Sequence, residues 1–243
     1  MSIESLLLHL ALFAMAVLYS SVGHGGASGY LAAMALFGLA PETMRPAALV
    51  MNIFVASLVL LRLYRAHYFD WRVYLPLAVT AVPMAYWGGT LKLQASIYYY
   101  VVASALLLAA WQMFRRPLEQ ATVSPRLVIA LPIGLLLGFI SGLTGVGGGV
   151  YLSPLLVMLR WTDMRTNAGV VAAFILTNSL AGLAGLMSVE TVWPEGIVGY
   201  VVVAVAGALI GSELALRRLS PQRLKGVLGV VLLIAAFKLL LSA

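Results

Sequence analysis

The stretch Gly142-Leu-Thr-Gly-Val-Gly-Gly-Gly-Val-Tyr-Leu-Ser-Pro154 lies between two apolar segments, and no charged residue occurs between Arg126 and Arg160. A related stretch, Ser20-Ser-Val-Gly-His-Gly-Gly-Ala-Ser-Gly29, takes the same place in the first half of the chain. Glycine lowers helix stability by about 1 kcal/mol relative to alanine. Lipid cannot satisfy the amide groups that a glycine run exposes, so such loops persist only where protein or a polar cavity surrounds them. The first glycine loop (23–29) and the second glycine loop (142–149) are therefore predicted to form the working centre.

The composition is that of a polytopic membrane protein. Of the 243 residues, 63% are hydrophobic and 9% are charged, and the mean hydropathy is +1.02. Apolar runs near the roughly 20 residues that a transmembrane helix needs recur along the whole length. We therefore predict an all-α fold whose activity lies within the membrane, with lipid as its surroundings.

Composition also excludes several classes of function. The net charge of +7 does not indicate nucleic acid, because the basic residues lie in short connectors beside apolar spans, as orientation signals do. The chain has no cysteine and its three histidines are far apart, so no metal-ligand pattern is recognisable. We expect no nucleic-acid partner, no metal, no cofactor and no enzymatic activity, and the sequence leaves open whether the chain forms a homo-oligomer.

The apolar segments form two matching series of five. Residues 5–22, 28–39, 47–63, 73–91 and 95–114 make up the first series, and residues 127–143, 150–159, 168–189, 196–216 and 224–243 the second. Met44-Arg45 and Met164-Arg165 precede the third segment of each series, about 120 residues apart. This pattern predicts an N-terminal repeat (1–114), a cytoplasmic linker (115–126) and a C-terminal repeat (127–243).

The second segment of each series is too short to cross a bilayer alone. Twelve helical residues span about 18 Å, whereas the hydrocarbon core is about 30 Å thick. The first two segments of each half therefore return together to one side, or cross with the glycine loop between them. Either way each half reverses direction an odd number of times, which predicts that the two halves lie in opposite senses as an inverted-topology repeat.

The basic residues predict the orientation. Twelve of the fifteen Lys and Arg residues fall on one side when the segments alternate, and the positive-inside rule makes that side cytoplasmic. Both termini are then expected outside. The twelve are Arg62, Arg65, Arg72, Arg115, Arg116, Arg126, Arg160, Arg165, Arg217, Arg218, Arg223 and Lys225.

Inversion is expected to bring the two glycine loops together near the midplane, from opposite faces. Each loop leads into a short helix whose first amide groups and partial positive charge favour an anion. Asn52 and Asn178 from the third segments are expected at the same depth. The predicted substrate-binding residues are Gly23, His24, Gly25, Gly26, Ser28, Thr144, Gly145, Gly147, Gly148, Gly149, Asn52 and Asn178.

Other interpretations of these residues remain open. His24 could carry a proton, or it could be a neutral side chain bonded to a backbone carbonyl. A hydrogen bond between helices explains Asn52 and Asn178 as well as a ligand contact does. The glycines Gly134, Gly138, Gly182 and Gly185 are expected to serve close helix packing only.

Two arginines and one serine have further interpretations. Arg45 and Arg165 could attract anions at the two mouths of the pathway. Arg45 and Arg165 are expected to anchor the chain at the membrane interfaces by snorkelling. The spacing in Gly26-Ala-Ser28-Gly29 also suggests an intramembrane serine protease. That hypothesis lacks a well-placed base for the serine and leaves the second glycine loop unexplained.

The glycine motifs carry a family resemblance. Gly145-Val-Gly-Gly-Gly149, followed by Pro154-Leu-Leu, and the tandem arrangement resemble the TauE/SafE family of sulfite exporters, also called the toluene sulfonate uptake permease family. The first copy departs from the glycine pattern at His24 and Ala27. The resemblance implies transport of a small sulfur-containing anion, sulfite or an organosulfonate, across the cytoplasmic membrane of a bacterium. Alternating access around the two loops is the expected mechanism, and a passive anion channel with the same site is the alternative.

Overall fold

A computed structural model describes residues 3–21, 26–114, 121–189, 194–216 and 221–243. Within these ranges the chain forms ten α-helices and no strand. The helices are α1 (Ile3–Ser21), α2 (Ala27–Leu36), α3 (Pro41–Arg65), α4 (Trp71–Thr90), α5 (Ala95–Phe114), α6 (Leu127–Thr144), α7 (Gly149–Met158), α8 (Met164–Met187), α9 (Ile197–Leu216) and α10 (Pro221–Ser242). The predicted all-helical fold is confirmed for this part of the chain.

Five of these helices are long and apolar enough to cross a membrane, namely α1, α3, α5, α6 and α8. The short helices α2 and α7 have ten residues each, which corresponds to about 15 Å of helix. They cannot cross a bilayer alone, as their sequences indicate. The protein is therefore a multi-pass membrane protein in which long helices surround two short ones.

The third helix of each half begins earlier than predicted. Helix α3 starts at Pro41 instead of residue 47, and α8 starts at Met164 instead of residue 168. Proline suits a first helical position because its missing amide proton would have no partner there. The Asp163 carboxylate accepts hydrogen bonds from the amides of Arg165 and Thr166 and caps α8. The polar residues were interpreted as connectors, but they cap or extend the helices.

The cap on α8 also sets the charge state of Asp163. Burial acts to raise the pKa of this carboxyl group, but hydrogen bonds from the Thr166 amide and hydroxyl and from the Arg165 amide outweigh it. The pKa consequently lies below its ordinary value. The carboxylate that caps α8 therefore stays ionised into the acidic range.

The most extensive helix contacts join helices of the first half to helices of the second half. Helix α4 packs on α6 and on α8, α1 packs on α9, α5 packs on α10, and α3 packs on α8. If α1 to α5 are matched with α6 to α10, the α4–α6 pair corresponds to the α9–α1 pair. The α3–α8 and α5–α10 pairs then correspond to themselves. A two-fold relation between the halves would produce these three matches.

The apolar core of the described residues consists of two clusters, and α3, α7 and α8 contribute side chains to both. One cluster gathers chiefly side chains of α1, α2, α3, α5, α9 and α10, and the other gathers side chains of α3, α4, α6, α7 and α8. Val146 of the second glycine loop and Val150 of α7 pack into the first cluster, whereas Leu152 and Leu156 of α7 pack into the second. The second glycine loop therefore lies between the two clusters.

Glycines make the contact of α6 with α4 very close. A Cβ atom added at Gly138 would lie 2.2 Å from the Ala81 carbonyl oxygen. At Gly134 the corresponding distance to the Leu77 carbonyl oxygen is 2.3 Å. The contact of α8 with α4 is similar, since a Cβ atom at Gly185 would lie 2.1 Å from the Tyr86 carbonyl oxygen. Because the obstacles are backbone atoms, the predicted packing role is confirmed for these glycines.

Gly182 of α8 meets another glycine. A Cβ atom added there would lie 3.0 Å from the Cα atom of Gly142 on α6. The packing role predicted for Gly182 is thereby confirmed as well, because a side chain at this position would separate the two helices. Helices α4, α6 and α8 thus form one tightly packed unit.

The glycine contacts predict a large difference between two alanine variants. Gly138→Ala forces a methyl group into the Ala81 carbonyl and should cost about 1–3 kcal/mol or more, lowering the melting temperature of the purified protein by several degrees. Gly226→Ala is the control, because a Cβ atom there meets nothing within 4 Å. It should leave the melting temperature unchanged or raise it, since alanine favours helix. Equal melting temperatures for the two variants would contradict the close packing.

Candidate functional site

The second glycine loop reaches the middle of the two longest helices. A Cβ atom added at Gly147 would lie 2.9 Å from Cγ2 of Ile175 and 3.2 Å from Nδ2 of Asn52. Asn52 lies midway along α3 (Pro41–Arg65), and Ile175 lies midway along α8 (Met164–Met187). The loop therefore lies against the middle of α3 and α8.

Three glycines of this loop adopt a backbone conformation that other residues rarely take. The φ angles of Gly145, Gly147 and Gly148 are 78°, 77° and 74°, all in the left-handed region that glycine enters without steric cost. Gly148 directly precedes α7 and leaves its first turn without a side-chain cap. The amide groups and partial positive charge of that helix end are thus directed toward the loop.

The first glycine loop ends in the same geometry. Gly26 directly precedes α2 with φ 75° and ψ −9°, and Gly148 precedes α7 with φ 74° and ψ −12°. Neither helix start has a side-chain cap. The two short helices also contact each other. The starts of α2 and α7 therefore share one backbone geometry, and both lack a side-chain cap.

Asn178 is buried without a hydrogen-bond partner. Its side chain is 0% exposed, and neither its amide nitrogen nor its oxygen has a partner among the described residues. It lies on α8 between Ile175 and Gly182, which contact the second glycine loop and α6 respectively. Residues three and four apart share one helix face. Asn178 therefore lies on the face of α8 that packs against the loop.

Asn52 is partly satisfied by the same loop. Its Nδ2 atom donates to the Gly145 carbonyl at 3.1 Å, whereas its Oδ1 atom has no partner in the described part of the chain. The hydroxyls of Ser141 on α6 and Ser179 on α8 are also buried and unpartnered there. Sequence reasoning missed Ser179, because nothing in its local pattern separates it from a packing residue.

These unpartnered groups indicate a ligand. A buried polar group without a partner costs about 1–3 kcal/mol, so folded proteins rarely leave several together. Here Asn52, Asn178, Ser141 and Ser179 leave unpartnered atoms on the elements that surround the second glycine loop. The amide of Asn178 and the two hydroxyls can donate to an anion, and the start of α7 adds a partial positive charge.

Thr144 has a structural position beside this cluster. Its hydroxyl donates to the Ile140 carbonyl at 2.7 Å, and its own carbonyl accepts from the Tyr98 hydroxyl at 3.0 Å. Gly145 accepts the Asn52 hydrogen bond, and a Cβ atom there would lie 2.9 Å from the Arg45 carbonyl oxygen. These contacts fix the C-terminal end of α6 and thereby the path of the loop.

The structure describes only part of the first glycine loop. The predicted site residues Gly23, His24 and Gly25 lie outside the described residues, so both interpretations of His24 remain predictions. Ser28 is 0% exposed, and its Oγ atom lies 2.5 Å from the Tyr19 hydroxyl. That tyrosine is a hydrogen-bond partner and not the base that a serine nucleophile needs.

Arg45 does not have the interfacial anchoring role that the sequence predicts for it. The side chain is only 7% exposed, so it does not snorkel to water. Its Nη2 atom donates to the carbonyls of Gly88, Gly89 and Gly142 at 2.8, 2.7 and 2.8 Å, and its Nη1 atom donates to the Leu91 carbonyl at 2.7 Å. Arg45 therefore joins the start of α3 to the C-terminal ends of α4 and α6.

The charge of Arg45 suits this position. Carbonyl groups at a helix C-terminus lack intrahelical partners and carry a partial negative charge, and the planar guanidinium can donate in several directions at once. Sequence reasoning missed this because hydropathy placed Arg45 in a connector. Arg165, its counterpart in the second half, is exposed and donates to the Tyr68 hydroxyl at 2.5 Å.

A small cavity lies beside Arg45. Its volume is about 130 Å³, and it opens where α3 begins and where α4, α6 and α8 end. The residues around it are Pro41, Glu42, Arg45, Pro46, Lys92, Leu93, Tyr98, Leu143 and Leu186. Leu143 belongs to the second glycine loop, so the cavity adjoins the loop from one end of the bundle.

The Arg45 contacts predict that lysine cannot replace this arginine. Arg45→Lys keeps the charge but cannot reach four carbonyls, and each buried carbonyl left without a donor costs about 1–3 kcal/mol. We expect a melting temperature at least several degrees below that of the wild type in detergent. The matched control is Arg165→Lys, at an exposed position, which should change stability little. A stable Arg45→Lys variant would show that the carbonyls find other donors.

Comparisons with known proteins agree with this architecture. The family described as sulfite exporter TauE/SafE matches residues 8–239. A protein of Sinorhizobium fredii, described as a probable membrane transporter, is 34% identical over 246 residues, which cover 99% of this chain and 100% of the relative. Another from Methanocaldococcus jannaschii, with the same description, is 24% identical over 248 residues and covers 90% of this chain and 89% of the relative. No solved structure matches the chain significantly.

Proposed function

Since this chain belongs to the TauE/SafE family of sulfite exporters, we propose that it transports a small sulfur-containing oxyanion, sulfite or an organosulfonate, across the cytoplasmic membrane of a bacterium. The family resemblance predicted from the glycine motifs is thereby confirmed. The family is one of membrane transporters, and both relatives are described as such. Transport of a substrate, rather than its chemical conversion, is therefore the proposed activity.

The observation that carries this proposal is the set of unpartnered polar groups around the second glycine loop. Asn178 is 0% exposed with both amide atoms free of partners among the described residues. The uncapped start of α7 lies against Val171 and Ile175, on the turns of α8 that precede Asn178. An oxyanion would satisfy the amide and hydroxyl donors and the helix dipole together. Neutral donors suit a transported anion, because a fixed buried cation would hold it too tightly.

Both glycine loops contribute to the proposed substrate site. The corresponding geometry of Gly26 and Gly148 supports this, as does the contact of α2 with α7. The proposed binding residues are Gly23, His24, Gly25, Gly26, Ser28, Thr144, Gly145, Gly147, Gly148, Gly149, Asn52 and Asn178. Within this set, Asn178 donates to the substrate, and Asn52 and Thr144 additionally hold the second glycine loop in place.

The proposed mechanism is alternating access between two inverted halves, residues 1–114 and 127–243. The two-fold exchange of helix pairs supports a relation of this kind. The distribution of basic residues supports cytoplasmic connectors, including 115–126, with both termini outside. Rocking of one half against the other would expose the midplane site to each side in turn.

Two asparagine variants of α8 test the proposed site. Asn178→Leu removes the amide at nearly constant volume and should reduce sulfite or sulfonate uptake into proteoliposomes by about tenfold or more. Because this amide has no protein partner in the described residues, the melting temperature should not fall. Asn167→Leu is the control, since its amide donates to the Ser153 carbonyl at 3.0 Å. This second variant should lose stability instead.

One result would contradict the proposed site, and another would contradict the proposed substrate class. If Asn178→Leu transports as the wild type does, the unpartnered amide has no role in substrate binding. If neither sulfite nor a sulfonate is transported by the wild-type protein, the proposed substrate class is wrong.

A counterflow measurement tests alternating access. Proteoliposomes preloaded with unlabelled substrate should take up labelled substrate faster than empty vesicles, because the carrier returns loaded from the far side. A passive channel would give no such acceleration, and its flux would follow only the imposed gradient and membrane potential. Absence of counterflow in vesicles that do conduct the anion would therefore replace the carrier mechanism with a channel.

A further inference from the structure

The first half of the site contains a tyrosine whose hydroxyl has no hydrogen-bond partner among the described residues. Tyr30 is 0% exposed, and its Oη atom has no hydrogen-bond partner among the described residues. Two other fully buried tyrosines differ in this respect. The hydroxyl of Tyr19 lies 2.5 Å from Ser28 Oγ, and that of Tyr98 donates to the Thr144 carbonyl at 3.0 Å. Tyr30 is therefore a buried hydrogen-bond donor that the described part of the chain leaves without an acceptor.

The Tyr30 hydroxyl lies at the start of α2. A Cβ atom added at Gly26 would lie 2.5 Å from this oxygen, and Gly26 directly precedes α2. Side chains in a helix lean toward its N-terminus, and the Tyr30 amide donates to the Gly26 carbonyl at 3.1 Å, one turn back. Glycine at this position leaves room for the phenol to reach the uncapped helix end.

Two features of this end favour an anion. The start of a ten-residue helix has unpaired amide groups and a partial positive charge. A phenol at neutral pH is a hydrogen-bond donor. A bound oxyanion would give the Tyr30 hydroxyl the partner that the described protein does not supply.

We propose that the Tyr30 hydroxyl donates a hydrogen bond to an oxygen of the transported oxyanion and sets a preference for an anion with three terminal oxygens over one with two. This inference rests on the proposed function and names one residue of its site that the glycine pattern did not indicate. It makes Tyr30 a substrate-binding residue that contacts the anion directly.

The corresponding position of the second half has no such donor. Tyr30 follows Gly26 by four residues, and Leu152 follows Gly148 by four. Leu152 is a fully buried apolar residue of the second core cluster. The first half-site thus has one side-chain donor that its counterpart lacks. A substrate with three terminal oxygens can use this additional donor, whereas one with two oxygens leaves it unpaired.

The test compares benzenesulfonate and benzenesulfinate, which share the ring and differ by one oxygen. Wild-type protein in proteoliposomes should transport the sulfonate with the lower KM. In Tyr30→Phe the KM for benzenesulfonate should rise by about tenfold or more, the usual effect of losing a hydrogen bond to a charged group. The KM for benzenesulfinate should change little. The ratio of the two KM values is the readout, because a general folding defect would affect both anions alike.

The matched control is Tyr98→Phe. It removes the hydroxyl of an equally buried tyrosine that donates to the Thr144 carbonyl, so it should lower the melting temperature and leave the KM ratio unchanged. Tyr30→Phe should not lower the melting temperature of the ligand-free protein, because no described protein group loses a partner. It should instead reduce the rise in melting temperature that benzenesulfonate produces.

The outcomes separate this inference from the proposed function. An unchanged KM ratio in Tyr30→Phe overturns the role of Tyr30 while leaving sulfonate transport intact. A lower melting temperature together with an unchanged ratio assigns the hydroxyl to the fold and also overturns it. If the wild-type protein transports sulfite but not benzenesulfonate, this inference is overturned and the proposed function stands. If it transports neither, both fail.

Discussion

Helix ends buried inside a membrane protein must find partners for their unpaired backbone groups, and the structure depends on how they are found. The C-terminal ends of α4 and α6 receive donors from the Arg45 guanidinium. The N-terminal ends of α2 and α7 have no side-chain cap. The Arg45 guanidinium thus satisfies the carbonyl ends, whereas the uncapped amide ends are the proposed binding place of an anion. The C-terminal carbonyls thus have a permanent partner within the protein, and the N-terminal amides have, in the proposed function, an exchangeable one.

The close glycine contacts explain how the second loop is held in position. Helices α4, α6 and α8 approach until backbone lies against backbone at Gly138, Gly182 and Gly185. Such contacts leave little freedom for one helix to slide against another. The C-terminal end of α6 is further fixed by Arg45 and Tyr98. The second glycine loop therefore begins from a rigid support, which matters because five of its eight residues are glycines without a side chain to anchor them.

Hydropathy and glycine patterns were sufficient to predict the helical segments and the two short helices. The ends of α5 and α6 follow directly from the apolar runs, because charge and proline bound them in sequence. The predicted start of α3 was wrong, because Glu42 and Arg45 are charged and resemble connector residues, whereas Arg45 is buried by partners from α4 and α6. Hydropathy describes a residue by itself, and it cannot register carbonyls that are more than forty positions away.

The same limit applied to the candidate site. Asn178 could be selected from the sequence because an amide in an apolar helix is conspicuous. Ser179 and Tyr30 could not, since serine and tyrosine are frequent in membrane helices and only their missing partners distinguish them. Polar atoms without a hydrogen-bond partner can be identified only when the positions of the surrounding residues are known.

The two halves share helix pairs but not the chemistry at their third helices. Arg45 is buried among four carbonyls, whereas Arg165 at the corresponding position lies exposed beside Tyr68. A carrier built from identical halves would have inward-facing and outward-facing states of equal free energy. In the proposed carrier, Arg45 fixes the start of α3 to four carbonyls, whereas Arg165 at the start of α8 is exposed. The two states of such a carrier would differ in free energy even without a gradient, and the empty carrier would have a preferred resting side.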